Sequence, residues 1–267
     1  MKRVDIVNAI YNAYDEDARL TKSRNGQLES ITTMRYIHAL LPEGAKVLEV
    51  GAGTGRYSVA LAREGYDVSA VELVERNLET LRENAKGLEN LSATQGDATN
   101  LGAFPDDAFD AVLALGPMYH LYAPEDWNRA LDEAIRVTKP GGLIFTAFLS
   151  VYAILYANYL SGNFREGLAE NFDGDFRVRH FEEQGFTGFD ISEFEALFDG
   201  KPVREIALAG TDSVLELAKQ TNGFSLPDEE FEAFVRDHLH TCEIRELLGS
   251  HSHLLHICRK QDGRTNR

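Results

Sequence analysis

The sequence predicts an α/β protein built on a doubly wound, mostly parallel sheet. Three observations carry that expectation. Short apolar runs alternate with longer amphipathic ones between Lys46 and Phe148, a glycine-rich turn follows the first apolar run, and acidic residues fall where successive runs end. At 267 residues the chain can bury a substantial core without staples.

Hydrophobic residues at 43% and charged residues at 26% exclude a disordered, collagen-like or coiled-coil reading of the whole chain. A formal net charge of −16 disfavours polyphosphate partners, so nucleic acid is not the expected ligand unless a local basic patch supplies the contact. No run reaches the roughly 18 apolar residues of a membrane span. The opening MKRVDIVNAIYNAYDED turns acidic where an export signal stays apolar, so a cytoplasmic protein with no membrane partner is expected. Cys242 and Cys258 cannot form a disulfide framework and are expected to be reduced. Monomer and homodimer stay open.

Before Lys46, Val4, Ile6, Val7 and Ile10, then Ile31, Met34, Ile37, Leu40 and Leu41, recur at helical spacing and predict a helical cap over 1–45. Strands are expected at Lys46–Val50, Asp67–Glu72, Leu91–Gln95, Phe109–Leu115 and Leu143–Phe148, making a core over 46–149. Right-handed crossovers place their carboxyl ends on one edge, where open α/β sheets bind ligands. Residues 150–190, which open with the helical VYAILYANYLS and continue rich in glycine and aromatics, read as a cap inserted over that edge. Tyr152, Tyr156 and Tyr159 share a helical face, which predicts packing first and a ligand-lining lid second.

Residues 191–260 complete the core. Ser192 followed by Glu195 fits a capping box, a strand is expected near Arg204–Ala209, a helical insertion covers about 212–248, and a last strand runs near Leu254–Arg259. Residues 261–267 are expected to be a loose tail.

The strongest chemical signal is Glu49-Val50-Gly51-Ala52-Gly53-Thr54-Gly55, at the end of the first strand and opening a helix. Glycines at alternate positions let the backbone turn sharply and approach a ligand. The dinucleotide fingerprint G-x-G-x-x-G fails here, because its last glycine falls on Arg56, and Glu49 would sit badly beside a pyrophosphate. Glu72 ends the second strand, where doubly wound proteins set a carboxylate across ribose hydroxyls. Gly96-Asp97-Ala98 follows the third, suited to a purine amine. Three acids without a phosphate-binding lysine describe a site for a positively charged nucleoside.

These segments, with RVTKPGG at Arg136–Gly142, resemble class I S-adenosylmethionine-dependent methyltransferases over roughly Leu41 to Phe148. The resemblance implies a Rossmann-like, seven-stranded sheet with an antiparallel last strand. It implies S-adenosylmethionine as cofactor and S-adenosylhomocysteine as product, with Glu49, Gly51, Ala52, Gly53, Thr54 and Gly55 around the methionine part, Glu72 on the ribose, and Asp97 with Ala98 on the adenine. Leu73, Gly96 and Leu115 complete that set, and of Tyr11, Tyr14 and Arg19, in a segment that folds over the cofactor in similar enzymes, Tyr14 is its first amino-terminal candidate.

The fourth strand leads into Gly116-Pro117-Met118-Tyr119-His120, the position from which this fold addresses its acceptor. Enzymes methylating exocyclic amines of DNA bases carry Asn or Asp, two prolines and an aromatic there, which this chain lacks. Tyr119 and His120 are the catalytic candidates, His120 as a base with a reference pKa of about 6.5. Phe148, Tyr152 and Arg177 join them as substrate candidates; Arg165, Arg177, Arg179 and His180 gather positive charge that reads first as a solvated surface and second as a hold on an acidic group. The histidines near the carboxyl end, His238, His240, His251, His253 and His256, read as helix and strand residues rather than metal ligands. The expected activity is methyl transfer to oxygen or nitrogen of a small molecule. Two rivals are kept. One is tRNA modification, from a loose resemblance of Ser161–Phe164 and LLHICRK to wobble-uridine carboxyl methyltransferases; the other is a cofactor-binding protein without turnover.

Overall fold

The computed structural model describes residues 3–13, 17, 19–181, 184–221 and 223–262. Tyr14 and most of the expected tail, 263–267, lie outside them. Seven strands form one sheet in the order β3-β2-β1-β4-β5-β7-β6. They are β1 (Lys46–Val50), β2 (Asp67–Glu72), β3 (Leu91–Gln95), β4 (Phe109–Ala114), β5 (Thr138–Leu149), β6 (Val203–Gly210) and β7 (His253–Lys260). Strands β1 to β5 pair in parallel, and β7 pairs antiparallel with both β5 and β6.

Alternation along the strands sorts side chains to two faces. One face presents Val47, Val68, Ala111, Phe145 and Ile257 to Ile37 of α3 (Arg24–Leu40) and Leu61 of α4 (Arg56–Arg63), while α5 (Glu75–Asn84) adds Leu81 beside Ala70. The other presents Leu48, Val71, Val112, Ile144 and Cys258 to Ile135 of α6 (Pro124–Val137). Helices on both faces are what a parallel sheet requires.

Three features differ from expectation, apart from strand ends that move by one residue. Strand β5 starts at Thr138 rather than Leu143, because Phe109 pairs with Thr138 before the register shifts to Ala111 opposite Leu143; the KPGG segment is therefore a bulge inside the strand. In the cap, α7 (Val151–Tyr159) buries Val151, Ala153 and Leu155 and leaves Tyr152 and Tyr156 exposed, so the tyrosine stripe is not the packed face. It is followed by α8 (Phe164–Asn171).

The third concerns α9 (Ile191–Ala196), whose N-cap is Asp190 and not Ser192. Asp190 Oδ1 accepts from the Ser192 N–H at 2.9 Å and from the Ser192 hydroxyl, so Ser192 is a donor to the cap. Asp190→Ala should therefore cost about 0.5–2 kcal/mol by chemical denaturation. Ser192→Ala should cost a few tenths; the reverse ranking would restore the capping box.

Within the carboxyl-terminal insertion, α10 (Leu215–Ala218), α11 (Asp228–Thr241) and α12 (Arg245–Leu248) pack beside α3 and β6. At the amino end, α1 (Arg3–Ala13) and α2 (Arg19–Lys22) precede α3. Among the described residues no helix is long and apolar enough to cross a membrane. Both cysteines are buried and unbridged, and burial pushes the Cys258 thiol up to about 12.

Candidate active site

The turn after β1 is held by its glycines and by β2. Gly51 and Gly55 lie at φ of 71° and 83°, in the left-handed region open to glycine. A Cβ on Gly51 would stand 3.0 Å from the Pro117 ring, and one on Gly55 2.7 Å from Leu81 Cγ. The N–H groups of Gly51 and Ala52 donate to Val71 O at 2.8 and 3.1 Å, fixing the turn against the end of β2.

Each acid is set differently. Glu49 is buried and its Oε2 accepts from the Ser58 hydroxyl of α4. Burial pushes its pKa up to about 8, helped by the nearby Glu72 charge and opposed by the Ser58 hydrogen bonds. Glu72 is also buried, and its carboxylate is aimed by two backbone donors, Gly53 N–H to Oε2 at 2.7 Å and Val74 N–H to Oε1 at 2.8 Å. Asp97 accepts at Oδ1 from the Thr99 N–H and hydroxyl, both at 2.9 Å, while Oδ2 pairs with the Arg3 guanidinium of α1.

These three carboxylates line one cavity. All the described residues expected around the cofactor lie on its wall except Gly55, which is the N-cap of α4. Arg3, Val7 and Tyr11 of α1, Leu20 of α2 and Asn77 of α5 are also part of the wall. Of these, Tyr11 belongs to the amino-terminal segment that the resemblance singled out, whereas Arg3, Leu20 and Asn77 carried no local sequence signal. With α1 seated, the volume is about 80 Å³.

Two features fit a cationic nucleoside. The donor set is acidic at three strand ends, and among the described residues the buried Thr54 Oγ1 on the cavity wall has no hydrogen-bond partner. One feature competes with it: the Arg3 cation already engages the acid assigned to the adenine.

Tyr119 and His120 lie in a 3-10 turn, Pro117–His120, on the same wall. His120 is buried, and both ring nitrogens are engaged, Nε2 with Tyr11 OH at 2.8 Å and Nδ1 with Gly185 O at 3.0 Å. Since Gly185 O can only accept, Nδ1 carries the proton and Nε2 accepts from Tyr11. Burial lowers the His120 pKa to about 4, the Gly185 hydrogen bond opposing and the Arg3 charge assisting. His120 is thus a neutral bridge between α1 and the cap.

A larger cavity, about 910 Å³, adjoins the first and shares Tyr11 and Tyr119 with it. Ile154 and Tyr159 of α7, Phe181, Phe186, Glu29 of α3 and His253 of β7 are among its lining. The three other substrate candidates are placed elsewhere. Phe148 is fully buried and stacks on Phe194 with ring centroids 3.8 Å apart, because its position in β5 points to the covered face. Tyr152 is exposed and donates to Asp190 Oδ2 at 3.1 Å, and Arg177 is exposed on the cap surface.

The carboxyl-terminal histidines take separate hydrogen-bond partners, although His238 and His251 stand with ring centroids 5.5 Å apart. His238 Nε2 meets Thr32 Oγ1 at 2.9 Å, His256 Nε2 meets Glu205 at 3.1 Å, and His251 Nδ1 accepts from the Ser213 N–H at 2.8 Å. Among the described residues no three His, Cys, Asp or Glu side chains gather as metal ligands.

Residues 47–142 match the methyltransferase domain family. The chain is 36% identical over 135 residues to a demethylmenaquinone methyltransferase of Clavibacter sepedonicus, covering 51% of this chain and 53% of that protein. It is 30% identical over 178 residues to a demethylmenaquinone methyltransferase of Staphylococcus aureus (strain JH9), covering 57% of this chain and 72% of that protein. The chain spans about half the length of the first curated relatives it matches. A solved structure described as a SAM-dependent methyltransferase, possible histamine N-methyltransferase, of Thermotoga maritima shares the fold, with a TM-score of 0.58, 19% identity and coverage of 98% of this chain and 100% of that one. With the strand order 3-2-1-4-5-7-6 and the acids at the ends of β1 to β3, these likenesses establish that the chain belongs to the class I S-adenosylmethionine-dependent methyltransferase family.

Proposed function

We propose that the protein is an S-adenosylmethionine-dependent methyltransferase that acts on oxygen or nitrogen of a small-molecule acceptor by in-line transfer. One observation carries the reading: Glu49, Glu72 and Asp97 meet in a single cavity that joins a larger one at Tyr11 and Tyr119. The relatives' names, a demethylmenaquinone methyltransferase and a ubiquinone biosynthesis O-methyltransferase of Methylocella silvestris, are in keeping with a ring-bearing acceptor. The unbridged cysteines fit a reducing, cytoplasmic setting.

When bound, S-adenosylmethionine supplies an electrophilic methyl group. The chain's own residues bind and orient. Glu49 faces the cationic methionine part, Glu72 accepts from the ribose hydroxyls, and Asp97 with Ala98 takes the adenine edge once Arg3 is displaced. The larger cavity holds the acceptor against Tyr119. Holding nucleophile and methyl in line can supply roughly 7–11 kcal/mol of the barrier.

Calorimetry with S-adenosylmethionine and S-adenosylhomocysteine tests this directly. Saturable heat is expected with both, and at about a hundredfold excess over Kd a stabilisation of about 2.7 kcal/mol in thermal unfolding. Absence of heat and of any thermal shift with either ligand would end the proposal.

A further inference from the structure

The ligand-binding edge of the sheet carries a fourth acid that the cofactor does not use. Strand β6 is antiparallel to β7, as β5 is, so its carboxyl end faces the same edge as those of β1 to β5. Asp212 lies two residues beyond that end, the kind of position Asp97 holds after β3. Strand β7 begins at the same edge, with His253 opposite Leu149 at the end of β5. Asp212 is fully buried and accepts at Oδ1 from the N–H groups of Ser252 at 2.9 Å and His253 at 3.1 Å. Its Oδ2 lies 3.2 Å from His253 Nδ1. The His253 side chain is 20% exposed, lines the larger cavity, and stands with its ring 6.4 Å from that of Tyr119, one of the two residues both cavities share.

We propose that His253, oriented by Asp212, is the general base that removes the proton from a phenolic hydroxyl held in the larger cavity. The proposal rests on the methyltransferase reading. The cavity favours such an acceptor for two reasons. Tyr11, Tyr159, Phe181 and Phe186 give it aromatic walls, and among the described lining residues Glu29, Glu170 and Glu216 outnumber Lys219 and oppose a carboxylate, which could attack without a base. A neutral hydroxyl needs its proton removed. His120 is ill suited to that task, since its two nitrogens tie α1 to the cap and burial keeps it a weak base.

In the step, the O–H proton passes to His253 Nε2 and the freed oxygen pair forms the new bond to the methyl carbon. The carbon–sulfur bond breaks with its pair staying on sulfur. His253 becomes an imidazolium beside Asp212 and returns its proton to water. Asp212 is a positioning residue. Burial alone would raise its pKa, but the His253 hydrogen bonds and the His253 and His251 charges outweigh burial and hold the carboxyl below its ordinary range. Among the described residues the groups around His253 are Asp212 and the Ser252 hydroxyl, both at Nδ1 (3.2 and 3.1 Å), with His251 beyond Asp212, Tyr119 from the 3-10 turn, and Glu29 of α3 with Glu170, Glu216 and Lys219 on the same cavity wall.

The test uses the whole chain with S-adenosylhomocysteine and 4-nitrophenol, a phenol coloured only as its anion. At about pH 6, near the imidazole reference value, wild type should raise the anion fraction of the bound dye several-fold over that in buffer. His253→Gln should return it to the buffer level while still binding dye and S-adenosylhomocysteine, and Asp212→Asn should lower it. An anion fraction unchanged in His253→Gln, or a dye that does not bind wild type, overturns the proposal. A second measurement needs no variant: nitrogen-15 shifts of the wild-type His253 ring should report the Nδ1–H tautomer, and the Nε2–H tautomer overturns the assignment. Calorimetry separates the two levels. If S-adenosylhomocysteine binds and the dye stays neutral, the base assignment fails alone; if it does not bind, the methyltransferase reading fails as well.

Discussion

Glu72→Ala should lower the affinity for S-adenosylhomocysteine by about 10²–10⁴, because two hydrogen bonds to a charged group, each worth about 1.5–3 kcal/mol, would be lost from the ribose. The same substitution should destabilise the free protein. The N–H groups of Gly53 and Val74 both donate to this carboxylate, at 2.7 and 2.8 Å. Left unsatisfied in a buried turn, each costs about 1–3 kcal/mol, so a loss of about 2–6 kcal/mol is expected in urea. Glu72→Gln should fall between, since its amide oxygen can accept one of the two bonds while its NH₂ confronts the other donor. Glu72→Ala binding within tenfold of wild type would remove Glu72 from the site.

Cofactor affinity should climb with pH, by up to about tenfold per unit between about pH 6 and 8 and little above that, and Glu49 is the cause. Burial places its pKa at about 8, so near neutrality the free protein holds it protonated. A sulfonium beside it favours the carboxylate, so binding releases a proton, and the cost of that release falls as pH rises toward 8. Stability should run the other way. A carboxyl group raised in the folded state lends stability that is fully present below its unfolded value near 4.5 and is lost as pH rises through about 8. Glu49→Gln should flatten both profiles, and comparing it with wild type cancels the ligand's own titration. A pH slope of affinity that survives in Glu49→Gln would exonerate this residue.

The sheet was legible because its signals are local. The KVLEV, DVSAVE and LLHICRK runs each carry their own periodicity, and the glycine turn and its acids sit at fixed offsets from strand ends, so their meeting on one edge follows from parallel topology alone. The outer wall of the site was legible only as an amino-terminal segment containing Tyr11, not in its contacts. Arg3 meets Asp97 across 94 residues and Tyr11 meets His120 across 109, and such contacts leave no pattern in either segment. Phe148 and Tyr152 show the limit of aromatic content as a guide, since strand alternation sent one into the core and helix packing left the other in water. Asp212 and His253 were within reach. An antiparallel last strand near Leu254 places its first residue on the active edge, and an acid just past the preceding strand repeats the logic applied to Glu72 and Asp97.

The burial of Cys242 and Cys258 has a practical use. With both native sulfurs sealed and the Cys258 thiolate suppressed at ordinary pH, alkylating dyes find no partner on the folded chain. A lone thiol installed by Ala9→Cys, on the solvent side of α1, then becomes a unique attachment point for a dye on the helix whose Arg3 engages Asp97.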